Sequence, residues 1–103
     1  MENTNLSKTA KSKAFEAIKN EKTLNEFVKE MMPFIYKCSK PYLIDEFKED
    51  MLNVARIAFV LAIKRFDYSM NGFFEYTKKA IEMALKTFIS NDTRLVCSPR
   101  YVS

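Results

Sequence analysis

The sequence predicts an all-α protein, a compact bundle of about four helices, and three observations carry that expectation. Glycine occurs once, at Gly72, and proline three times, so the turn chemistry that strands need is scarce. Apolar residues recur at three- and four-residue spacing through most of the chain. Helix-start signals precede two of those stretches. At 103 residues, 48% of them hydrophobic, the chain has the length of one domain with a modest core.

Residues 1–22 are lysine-rich and weakly periodic, and they are expected to form a basic N-terminal arm or a marginal helix from about Thr9 to Asn20, with Phe15 and Ile18 on one face. The rest, residues 23–103, forms the helical domain. Thr23-Leu24-Asn25-Glu26 has the form of a capping box. It opens a helix to about Lys40 with Leu24, Phe27, Val28, Met31, Ile35 and Cys38 on its apolar face. Pro33 is expected to kink this helix, and Ser39-Lys40-Pro41 to end it.

Asp45 is the expected N-cap of the next helix, with Glu46, Glu49 and Asp50 favourable at its positive end. Ile57 to Ile63 is an unbroken apolar run of seven residues, which predicts a central helix buried on most sides. Lys64 and Arg65 suit its negative end. Asp67 to Gly72 makes the obvious turn. A last helix follows to about Ser90, with Phe73, Thr77, Ala80, Ile81, Ala84, Leu85 and Phe88 on one face and Lys78, Lys79, Glu82, Met83 and Lys86 on the other.

Composition narrows function by exclusion. There is no histidine, and the two cysteines, Cys38 and Cys97, stand far apart, so a metal site, a bound cofactor and a hydrolytic triad are all unexpected. No apolar stretch is long enough to span a membrane and no export signal is visible, which points to the cytoplasm and reduced thiols. The net charge of +4 is uneven: residues 1–22 carry +2, residues 23–63 carry −1 and residues 64–103 carry +3. A faintly acidic middle and a basic end fit two partners of different character.

An ordered series of short motifs over residues 24–101 resembles conserved region 2 of bacterial sigma factors, the helical domain that binds RNA polymerase and opens promoters. Met32-Pro33-Phe34-Ile35 resembles the family's Y-x-P-L-V run. Glu49-Asp50-Met51-Leu52 sits on its E-D-L motif and Ala62-Ile63-Lys64-Arg65-Phe66-Asp67 on A-x-x-K-F-D, both in one ungapped stretch. Phe73-Phe74-Glu75-Tyr76 falls on F-S-T-Y, Ile81-Glu82-Met83-Ala84-Leu85 on I-R-Q-A-I, and Arg94-Leu95-Val96-Cys97-Ser98-Pro99 on R-x-I-R-x-P.

The resemblance implies a transcription initiation factor or co-sigma subunit rather than an enzyme. It implies contact with the coiled coil of the largest subunit of core RNA polymerase through Asp50, Asn53, Val54, Arg56 and Val60. Asn53 replaces the family's Gln, and Val54 its Glu. It further implies partly single-stranded promoter DNA, the minus-ten element, along Phe73, Phe74, Tyr76, Lys78, Lys79, Met83, Lys86, Arg94 and Arg100. Rings would stack unpaired bases there and cations would hold phosphates. Lys79 and Ala80 stand where the family has paired tryptophans, and Met83 where it has a glutamine. Phe73 serves equally well as a core residue, and the lysines as a solvated face. The chain is expected to be a complete small protein working with a second subunit that supplies minus-35 recognition. The alternative is a degenerate sigma-like module that regulates polymerase or a sigma factor without opening DNA.

Overall fold

The computed structural model describes residues 2–91, with side chains from residue 9 onward. Four α-helices account for most of this stretch, and no strand occurs among the described residues. They are α1 (Glu2–Ala17), α2 (Glu21–Ser39), α3 (Lys48–Arg65) and α4 (Phe73–Asn91). Two single turns of 3₁₀ helix, Lys40–Tyr42 and Asp45–Phe47, join α2 to α3. The all-α bundle is therefore as the sequence predicts.

Of the arm or marginal helix expected for the N-terminal segment, the helix is found, and it starts earlier than Thr9. Ala10, Ala14 and Ala17 are buried at i, i+4 and i+7 and form the seam by which α1 lies on α2 and α4. Alanine loses little side-chain freedom in a helix and lets a neighbouring backbone come close. A search for large apolar residues passes over such a seam. Phe15, expected on one face with Ile18, is 44% exposed.

The start of α2 also departs from expectation. Asn20 is the N-cap, its side chain accepting the Lys22 amide at 2.8 Å, so the helix begins before Thr23. The Thr23 hydroxyl instead turns back to the carbonyls of Ala17 (2.9 Å) and Asn20 (2.8 Å), tying the end of α1 to α2. Leu24, Phe27, Val28, Ile35 and Cys38 are buried as their spacing requires. The helix carries on through an exposed Pro33 and ends at Ser39, whose hydroxyl bonds the Ile35 carbonyl at 2.7 Å.

Asp45 opens a 3₁₀ turn instead of capping α3, which starts at Lys48 with Glu49 and Asp50 in its first turn. Met51, Ala55, Phe59, Ala62 and Ile63 are buried, and the Phe59 ring lies 6.1 Å from Phe27 and 6.3 Å from Phe34. The helix is not wrapped on all sides, however. Ile57 is 57% and Leu61 45% exposed, although both belong to the apolar run.

Between α3 and α4, the Asp67 carboxylate accepts both the Ser69 amide (3.0 Å) and hydroxyl (2.6 Å), and these bonds hold its pKa below the ordinary range. Gly72 takes φ +84°, a left-handed conformation that costs a side-chain-bearing residue energy, and α4 begins directly after it. Phe73, Thr77, Ile81 and Leu85 then repeat every four residues as the buried seam of α4. The buried Thr77 hydroxyl is satisfied by the carbonyls of Phe73 and Phe74, each at 3.1 Å.

Candidate functional site

The burial of Met51, Ala55, Phe59 and Ile63 turns the opposite side of α3 outward. Asp50, Asn53, Ile57, Leu61 and Lys64 stand there at helical spacing, all exposed. The residues expected to meet polymerase do not form one uniform patch. Asp50 and Asn53 lie on the outward stripe. Arg56 is exposed beside it and donates to the Asn53 side-chain oxygen at 3.2 Å.

Val60 is half-buried in a groove between α2 and α3, whose walls include Val28, Met32, Arg56, Ile57 and Leu61. Val54 is half-buried on the other flank, where it lines a cleft with Ala84 and Phe88 of α4.

On α4 Tyr76, Lys79, Met83, Lys86 and Ser90 are exposed within an arc of about 80° at 3.6 residues per turn, with exposed Thr87 and Glu75 just beyond its two edges. Tyr76 is 42% and Met83 67% exposed. The Lys86 ammonium lies 5.8 Å above the Tyr42 ring. Lys78 stands apart from this stripe and faces the end of α2, where its charge opposes the rise that burial imposes on the Cys38 thiol pKa.

The three aromatics expected to meet bases divide. Phe73 is fully buried among Phe66 (5.4 Å), Tyr68 (6.4 Å) and Phe74 (5.8 Å), so of the two roles open to it the structure shows core packing. Phe74 is half-buried with its ring 5.0 Å from Phe34. Tyr76 alone of the three is exposed, with its ring 5.3 Å from Phe66. Arg94 and Arg100 lie outside the described residues, as does Cys97.

Two groups of residues escaped the sequence reasoning. Ile57 and Leu61 went unnoticed as surface because an unbroken apolar run looks like core. The clue was their place one and two turns beyond Asn53 on the same stripe. The second is the pairing of Phe15, which the sequence places on a helix face, with Tyr68, their centroids 5.2 Å apart where α1 meets the α3–α4 turn. The Tyr68 hydroxyl donates to the Ile63 carbonyl at 2.6 Å, and partial burial pushes its pKa up to about 12. No sequence signal pairs two rings so far apart in the chain.

Comparison with known proteins finds one curated relative, the RNA polymerase sigma factor SigI7 of Acetivibrio thermocellus. The two are 35% identical over 71 residues, covering 65% of this chain and 30% of that protein. The relationship is sigma-factor-like. The chain spans under a third of the relative's length. No family model matches the chain, and no solved structure does.

Proposed function

We propose that this chain is a sigma-like transcription initiation factor or co-sigma subunit, acting by binding rather than catalysis. The observation that carries the reading is the pair of solvent-facing stripes on adjacent helices, within a chain partly alike to a sigma factor. The α3 stripe is mixed polar and apolar, as protein interfaces are. Asp50, Asn53 and Arg56 give it polar contacts, and Ile57 and Leu61 give it apolar area to bury. Its partner is the coiled coil of the largest subunit of core RNA polymerase. The α4 stripe joins one ring to two lysines and meets promoter DNA at an unpaired minus-ten segment. A second subunit supplies recognition of the minus-35 element.

Co-purification with core polymerase tests the first half. Exchanging Asp50, Asn53 and Arg56 for alanine together, or Ile57 for aspartate, leaves the helical circular-dichroism signal intact and removes polymerase from the complex. Undiminished co-purification of both variants excludes docking through α3.

One observation favours a second reading, in which the domain occupies polymerase without opening DNA. Phe73 is core and Lys79 and Ala80 replace the paired tryptophans, which leaves α4 with a single presented ring. A fluorescent base at the upstream edge of a minus-ten bubble separates the two. Opening by core plus this chain, lost on Tyr76→Ala, supports initiation; core binding with no opening supports occupation alone.

A further inference from the structure

Rings continue past Tyr76 toward the N-terminal helix. Tyr76 touches Phe66 at 5.3 Å, Phe66 touches Tyr68 at 5.1 Å, and Tyr68 touches Phe15 at 5.2 Å. The inner members of this chain are covered: Phe66 is buried and Tyr68 half-buried. The outer two, Tyr76 and Phe15, are 42% and 44% exposed. Two presented rings thus stand at the ends of one rigid aromatic row that links α4 to α1.

Cations flank both ends. Lys79 lies one turn after Tyr76 on the outward stripe, and Lys11 and Lys19 lie one turn before and after Phe15. The Lys19 ammonium sits 4.7 Å over the Phe15 ring and also pairs with Glu16 at 3.1 Å. Lys11 donates to the Met70 carbonyl at 2.9 Å, which holds α1 against the α3–α4 turn. Beside Phe15 is a cleft of about 240 Å³ lined by Lys11, Ser12, Phe15 and Tyr68. That is below the roughly 300 Å³ at which pockets take whole small molecules, and it suits a single planar ring.

We propose that Phe15 is a second stacking platform for single-stranded DNA, extending the strand path of α4 across the end of the bundle onto α1, with Lys11 and Lys19 at the phosphates. This rests on the reading that α4 meets an unpaired strand. Stacking gives a use to the 44% of Phe15 that stays exposed beside Tyr68, with the Lys19 ammonium moving from the ring to a phosphate as a base takes its place. A base offers a π-face whatever its identity, and flanking ammonium groups match the phosphate between stacked bases. Duplex DNA hides its base faces, so the Phe15 contribution belongs to the single strand only.

Anisotropy of a fluorescent oligodeoxythymidine of about twelve nucleotides, within the usual site sizes, tests this on the full chain at low salt. Phe15→Leu keeps apolar packing on Tyr68 but removes the π-face, and it weakens strand binding by roughly 5-fold or more. Phe15→Tyr restores it, and binding of the matching duplex is unchanged by either. If Tyr76→Leu weakens strand binding while Phe15→Leu behaves as the parent, the second platform is refuted and the α4 reading stands. If neither variant differs from the parent, or the parent does not bind the strand, the second platform falls, and opening by core plus this chain decides the α4 reading. If Phe15→Leu leaves strand binding intact but costs polymerase association, the patch is a protein contact and the proposal is overturned.

Discussion

Helices α1 and α3 invert what their compositions promise. The first is polar and lysine-rich, yet it docks through Ala10, Ala14 and Ala17. The second holds seven consecutive apolar residues, yet leaves Ile57 and Leu61 substantially in solvent. Burial follows the face that finds a neighbour, not the total hydrophobicity of the helix. Small residues seal a close contact, and large ones stay outside where no helix covers their face.

The largest test of this contrast divides α3 against itself. Phe59 and Ile63 are fully buried, so Phe59→Ala or Ile63→Ala costs about 2–5 kcal/mol through lost transfer energy and cavity formation. Ile57→Ala and Leu61→Ala, on the same helix and in the same run, stay within about 0.5 kcal/mol. Urea denaturation of the four variants measures both. Equal losses for all four would return α3 to a helix wrapped on every side.

The N-terminal seam gives the next effect. Ala14 has no exposed surface, and Ala14→Leu overpacks the contact with α2 at about 1–3 kcal/mol. Were α1 an arm in solvent, leucine would be neutral there, since it is almost as good a helix former as alanine. A parent-like denaturation midpoint for Ala14→Leu therefore detaches α1 from the core.

These tests also mark how far the sequence was informative. The seams of α2 and α4 were legible because Leu24, Phe27 and Ile35, and Phe73, Ile81 and Leu85, repeat at helical spacing with large side chains. The seam of α1 was not, because alanine gives almost no contrast in hydrophobicity. Helix starts were misplaced because several residues near each junction can cap, and tertiary contacts choose between them. Thr23 matches the capping-box pattern, but Asn20 caps while the Thr23 hydroxyl ties α1 to α2. At α4, Lys78, Lys79, Met83 and Lys86 are exposed as the spacing places them. The row from Tyr76 to Phe15 needs three contacts between elements, which no spacing along the chain encodes.

Tyr68, where α1 touches the α3–α4 turn, adds a pH test of smaller size. Partial burial raises its pKa to about 12 from the ordinary 10. The unfolded chain therefore ionises first, so the contribution is intact below about pH 10 and is lost as pH rises toward 12. Ultraviolet titration shows a late-ionising phenol. Tyr68→Phe removes that late step and blunts the loss of stability between pH 10 and 12. A titration that Tyr68→Phe leaves without any lost late step would mean that the turn leaves Tyr68 fully hydrated.

The smallest effect concerns what else holds α1. Lys13 reaches Glu30 on α2 at 3.0 Å and makes a charged link between the two helices. Both side chains are more than half exposed, at 53% and 58%, so water screens the pair and their attraction must still overcome the entropy of fixing two long chains. Such pairs couple by about 0.2–1 kcal/mol, and half-molar salt removes most of that. A double-mutant cycle of Lys13→Ala and Glu30→Ala isolates the coupling from the packing of the two methylene stems. The expected value lies at the low end of that range and well below the cost of Ala14→Leu. A coupling as large as the Ala14→Leu penalty, persisting in high salt, would make α1 a helix held by charge, and the alanine seam would then be the consequence of docking rather than its cause.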